Sequence, residues 1–283
     1  MTGRILALTV LLAACGAPPA SPDRAAAARI PVAVSVAPQA TFVERIGGGR
    51  VRVDVMIPPG ASEEDYAPSP RQMAELSSAR LYVAVGHPAF AVESRYIRPF
   101  LARSPGVRVI DMSRGMRTVP GDPHVWVAPE TVRVAAVNIA VALEQADPGS
   151  AADYRANLRG FLAEIDALDR DIRSRLGPPG ERPVPKLMVY HPSWGYFARQ
   201  YGLEQIAIEA EGKEPSAQRM IQLIDHARGE GVKLIFVQGG FPRKSAQVIA
   251  DALGGRVLTG DPQDRDWAGN LRRVTAALDE AYR

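Results

Sequence analysis

The sequence predicts an α/β fold of two parallel-sheet lobes. Three observations carry this. Short apolar segments alternate with amphipathic helical segments up to about residue 147, and the same alternation resumes after about residue 181. Between them lies one long, charged, amphipathic segment with no strand signal. Pro- and Gly-rich turn words follow several of the strands, at the end of an open α/β sheet where ligands bind.

In order, residues 30–36 read as a buried strand and 39–46 as a helix ended by Gly47, Gly48 and Gly49. Residues 51–57 alternate as a strand, broken by Pro58, Pro59 and Gly60. Residues 70–79 form a helix with Ser69 as N-cap and Pro70 in its first turn. Residues 81–85 and 107–110 are strands, and 129–145 are strongly helical. From Ala151 to Leu176, the apolar positions Leu158, Phe161, Leu162, Ile165, Leu168, Ile172 and Leu176 recur at helical spacing, and Gly177-Pro178-Pro179-Gly180 ends the helix. The second run has strands at 187–190, 206–208, 234–237 and 256–258. Its helices are at 194–201, 216–228, 245–253 and 267–281. No short tandem repeat is visible.

The first 28 residues are of a different kind. A short basic start with Arg4 precedes the apolar run 5–14, too short to span a bilayer, and the layout is that of a secretory signal peptide. Leu12-Ala13-Ala14-Cys15 resembles the bacterial lipobox, which implies a lipid on Cys15, the only cysteine. The predicted boundaries are a lipoprotein signal peptide over 1–14 and a lipidated tether rich in Ala, Pro and Ser over 15–28. Apolar content of 46% and charged content of 23% suit a globular protein. The net charge of +3 contains no basic block, so nucleic-acid binding has no support. With one Cys, any metal site in the fold must use nitrogen and oxygen.

Four residues stand out: Glu64, His124, His191 and Asp261. Their words are Ser62-Glu63-Glu64-Asp65-Tyr66, Asp122-Pro123-His124-Val125-Trp126, His191-Pro192-Ser193-Trp194, and Gly260-Asp261-Pro262. Two imidazoles and two carboxylates can close a first-row divalent metal site. Two come from each half, so the expected site is the cleft between lobes. His87 is expected to be structural and His226 solvated. The acidic residues Glu209, Glu211 and Glu214 read as surface charge, with the rim of the cleft as the alternative, and are assigned no role. Asp261-Pro262 taken alone is an ordinary turn word.

Together these words resemble the metal-binding solute receptors of bacterial ABC transporters, the zinc and manganese receptor family, from about Val32 to the C-terminus. The resemblance rests on the Pro-Gly-Ala loop with Tyr66 and Pro68-Ser69-Pro70, the Asp122–Trp126 word, Tyr196-Phe197 with Tyr201-Gly202-Leu203, and Asp261-Pro262. It implies two lobes, over 29–147 and 181–283, joined by a long rigid linker helix within 148–180. It implies His124 and His191 as histidine ligands and Asp261 as a carboxylate ligand. The first ligand departs from the family's usual Pro-His: alignment on Tyr66 puts Glu64 at the histidine's place, with Glu63 or Asp65 as alternatives. A carboxylate often found after the 234–237 strand is Gln238 here.

The expected function follows. One divalent ion, Zn2+ first, then Mn2+ and Fe2+, is captured and passed to an ABC transporter permease. The receptor is expected to be a periplasmic or extracytoplasmic monomer, held to the membrane through Cys15, and no enzyme. Carboxylate for imidazole hardens the site and favours manganese or iron(II) somewhat. The alternatives are a surface lipoprotein with a vestigial site acting in adhesion, and a metal-dependent hydrolase. No His-Glu-x-x-His or Gly-x-Ser-x-Gly word supports the hydrolase.

Overall fold

A computed structural model describes residues 29–178, 186–210 and 212–282. Cys15 and the residues around it lie outside the described residues. Two four-stranded sheets organise the chain, and every strand pairing is parallel. The first holds β1 (Ile30–Val34), β2 (Val51–Val55), β3 (Leu81–Ala84) and β4 (Arg108–Asp111) in the order β2-β1-β3-β4. The second holds β5 (Lys186–Val189), β6 (Glu204–Ala207), β7 (Leu234–Val237) and β8 (Arg256–Thr259) in the matching order β6-β5-β7-β8. In each sheet the winding reverses between two central strands, β1 and β3 or β5 and β7. Their carboxyl ends are where such sheets bind ligands.

Parallel neighbours need crossovers. These run through α1 (Ala37–Gly47), α2 (Pro70–Ser77) and α3 (Arg98–Leu101) in the first lobe, then α6 (Gly195–Tyr201), α7 (Ala217–Gly229) and α8 (Arg243–Leu253) in the second. Between the sheets lie α4 (Pro129–Ala146) and the 26-residue α5 (Ala151–Leu176), and α9 (Trp267–Tyr282) follows β8. Local sequence accounts for the helix ends. Ser69 Oγ accepts the Gln72 N–H at 3.3 Å, while Gln72 Oε1 accepts the Ser69 N–H at 2.9 Å, a capping box beside Pro70. Ser216 Oγ likewise accepts the Arg219 N–H at 3.2 Å.

The sequence pattern leaves residues 86–107 without a helix, and the structure differs there. Residues Glu93–Ile97 form a wide turn of π-helix that runs into α3. Glu93 is wholly buried, and its carboxylate accepts the N–H groups of Val85 (2.6 Å) and Gly86 (3.0 Å) and the Ser35 hydroxyl. A buried acid breaks the apolar period that signals a helix, and Pro99 brings no N–H to the ladder.

Side-chain alternation explains the core. Leu187, Val189, Leu234 and Phe236 face a cluster that includes α9, α5 and the whole first lobe. Their neighbours Met188, Tyr190, Ile235 and Val237 face α7 and α8 in a second cluster. Helix α5 buries Tyr154, Phe161, Ile165, Leu168, Ile172 and Leu176 against α1, α4 and α9. One continuous core thus joins both lobes. It is stitched by Trp126 Nε1–H to Pro262 O (2.8 Å) and Trp267 Nε1–H to Trp126 O (2.7 Å).

Candidate metal centre

Each candidate side chain is placed by a short local device. After β2, the Ala61 N–H bonds to Pro58 O (3.1 Å) and the Tyr66 N–H to Ser62 O (3.0 Å). Successive residues of such a helical turn point about 100° apart. Glu63 therefore faces inward at 2% exposure, while its neighbour Glu64 stands half-buried at the rim. After β4, Asp122 Oδ1 accepts the His124 main-chain N–H (3.0 Å) in an Asx turn, and the same oxygen meets His124 Nδ1 at 2.8 Å. The word Asp-Pro-His so folds its imidazole back onto its own carboxylate.

His191 follows β5 by two residues. The β5–β6 register pairs Val189 with Ala207, and two residues further it sets His191 beside Glu209. Glu209 Oε1 is 2.7 Å from His191 Nδ1. The β7–β8 register, which pairs Val237 with Thr259, similarly sets Gly239 beside Asp261. Asp261 Oδ1 accepts the Gln263 N–H at 2.9 Å, and the Gly239 N–H bonds to the same carboxylate.

His124 Nε2 lies 2.8 Å from Glu63 Oε1, and the two imidazole centroids are 5.2 Å apart at 76°. Both nitrogens of His124 thus face carboxylates. Burial would push its pKa down, but the bonds to Asp122 and Glu63 outweigh it and raise it to about 9. Burial pushes the Glu63 acid up, yet the His124 contact overrides it and leaves Glu63 below the usual carboxylate value. Glu64 is raised, by burial first, with Glu209 and Glu63 adding repulsion against the pull of His191. Burial also raises Asp261.

His191 is 3% exposed, and its Nδ1–H serves Glu209. In the neutral ring this leaves a lone pair on Nε2, which has no hydrogen-bond partner. Nε2 looks toward Glu63 Oε1 at 3.8 Å and Glu64 Oε1 at 4.0 Å. A buried polar atom without a partner is costly, and an electron-pair acceptor at this point would relieve that cost.

Among the described residues, Glu63, His124 and His191 have donor atoms all within 4.8 Å of one another, and so do Glu64, His191 and Glu209. Of the four residues singled out from sequence, the structure brings His124 and His191 together. It places Glu64 at the edge beside His191, and Asp261 in neither group, its carboxylate held by main-chain N–H groups. Glu63, kept as an alternative, enters the inner group. Of the two sequence readings for Glu209, surface charge fails and a place at the cleft holds: it is buried behind His191, a contact only strand register could have pointed to. His87 is structural: its Nδ1 accepts the Ala89 N–H (3.1 Å) and Nε2–H donates to Val119 O (3.0 Å). The group opens to a cavity of about 250 Å³ lined by Glu63, Glu64, Phe90, His124 and His191.

A profile of the family described as "Zinc-uptake complex component A periplasmic" matches residues 32–281. The high-affinity zinc uptake system protein ZnuA of Bacillus subtilis (strain 168) is 25% identical over 281 residues, covering 89% of this chain and 84% of that one. A crystal structure of ZnuA is similar with a TM-score of 0.84 and 37% identity, over 90% of this chain and all of that one. A ZnuA deletion mutant solved with zinc bound gives 0.81 and 38%, over 90% and 98%.

Proposed function

Because this chain belongs to the family of periplasmic zinc-uptake components, we propose that it captures one divalent ion in the inter-lobe cleft and hands it to an ABC transporter permease. The observation that carries this reading is the orphaned Nε2 of His191, buried and facing Glu63 and Glu64. An ion about 2 Å from each donor sits between atoms roughly 3–4 Å apart, so these spacings suit it. His124 Nε2, now against Glu63 Oε1, joins once its proton leaves. Glu63, His124 and His191 are the inner ligands, with Glu64 the fourth from the rim. Asp261 keeps lone pairs free beside its two main-chain donors and is the further carboxylate open to the ion from the second lobe.

The zinc-uptake relatives support zinc first, with manganese next and iron(II) third, and two carboxylates beside two imidazoles suit all three ions. The cavity is smaller than the roughly 300–1,000 Å³ of small-molecule sites, which supports a bare ion as cargo. Each imidazole leans on a carboxylate, Asp122 or Glu209, the arrangement that orients metal-binding histidines. The continuous core around α5 favours release through local loop movement upon docking. The Leu12–Cys15 word supports a lipid anchor at Cys15, and the absence of a His-Glu-x-x-His or Gly-x-Ser-x-Gly word favours a carrier over a hydrolase.

Metal analysis and chelator-competition titration of the lipid-free chain with zinc, manganese and iron(II) test the proposal. One ion per chain is expected, held most tightly as zinc. His191→Ala should lose at least two orders of magnitude in affinity. A chain that holds no ion, or a variant that binds like the parent, would overturn the reading.

A further inference from the structure

Glu63 offers the inner group two oxygens, and the structure treats them differently. Oε1 faces the two histidines. Oε2 is taken by the side-chain amide of Gln263, which also donates to Ala61 O at 3.3 Å. Gln263 is buried and comes from the other lobe, 200 residues along the chain. Its main-chain N–H holds Asp261 Oδ1.

The segment that carries Gln263 is firmly seated. Pro262 O accepts Trp126 Nε1–H (2.8 Å), Arg265 O accepts the Thr41 hydroxyl (2.6 Å), and Trp267 Nε1–H reaches Trp126 O (2.7 Å). Arg265 also pairs with Glu44 at 2.6 Å. Residues 262–267 are thus a strap from the second lobe fastened to the first on both sides of Gln263.

We infer that Gln263 is a positioning residue that sets which ion the site prefers, an inference that rests on the capture reading above. By holding Oε2, its amide restricts Glu63 to a single oxygen toward the ion. One oxygen per carboxylate suits a four-coordinate ion such as zinc. Manganese prefers a larger set of oxygen donors, which a carboxylate turning both oxygens inward would supply. Gln263 touches no ion; its side chain acts through Glu63.

The test is Gln263→Leu in the lipid-free chain, read by zinc and manganese competition titrations and by the visible spectrum with Co(II). Outer residues around metal ligands change affinity about 10–100-fold. The zinc-to-manganese affinity ratio is expected to fall about tenfold or more. The intense absorption of four-coordinate Co(II) is expected to weaken as the ion gains an oxygen. A variant that binds one ion with the parental ratio and spectrum overturns the inference, even if its metal-free form melts earlier, because Gln263 would then be only structural. If Gln263→Leu does not fold, Gln263→Met keeps the length without the donor and reads the same two quantities. Failure of the capture reading is distinct: the parent chain itself would hold no ion.

Discussion

His124 is the residue on which the site turns, because each of its nitrogens faces a carboxylate. Asp122 on Nδ1 aims the ring, whereas the Glu63 contact on Nε2 is the one that would open to an ion under the proposed capture. Glu209 does for His191 what Asp122 does for His124. Asp122→Asn and Glu209→Gln are each expected to weaken zinc binding about 10–100-fold while the fold stays intact. Competition titration checks the first part and circular dichroism the second. The Asp122-Pro123-His124 word stood out in sequence as the carrier of His124, but the structure is what shows Asp122 aiming the ring from two residues away. The Glu209 contact was not legible in sequence, because it joins the ends of two strands.

At the scale of elements, the loops after β2 and β7 cross backbone to backbone. Gly60 and Gly240 both have positive φ, at 80° and 82°. A Cβ on Gly240 would lie 2.0 Å from Gly60 O, so no side chain fits without moving the loop that carries Glu63. Gly240→Ala is expected to destabilise the protein and weaken zinc binding together. Gly254→Ala is the control: its φ is also positive, at 61°, but a Cβ there meets nothing within 4 Å. It should cost about 1–2 kcal/mol and leave zinc affinity unchanged. Urea unfolding and zinc titration of both variants separate the clash from the backbone term.

For the molecule as a whole, pH acts on the metal-free and metal-bound forms in opposite directions. His124 is raised from 6.5 to about 9 in the fold. Its stabilisation of the metal-free protein is therefore complete below about pH 6.5 and lost as pH rises through 9, a change of about 3 kcal/mol. Glu63 is lowered, so its contribution is present above about pH 4.5 and lost on acidification. Metal-free stability should peak between these limits. Zinc affinity should instead rise with pH up to about 9, because the ion displaces the His124 proton. Urea unfolding without metal, and zinc titration across pH 5–9, check both slopes. Zinc affinity that does not change with pH would mean that His124 is not a ligand.

The sequence alone determined the two α/β lobes, the long α5 and the loops that carry His124 and His191. These follow from apolar period, proline and glycine turns, and helix caps, all of which act within a few residues. The helix of residues 93–101 escaped because its buried Glu93 is satisfied by main-chain groups of another segment. Only the tertiary structure decided that Glu63 faces inward and Glu64 the rim. It alone set Glu209 behind His191, and it alone left Asp261 held by main-chain donors. Adjacent carboxylates are equivalent in composition and differ only in direction. Direction is set by contacts across the fold, 61 residues apart for Glu63 and His124 and 200 for Glu63 and Gln263. A period or a motif along the chain carries no record of such contacts.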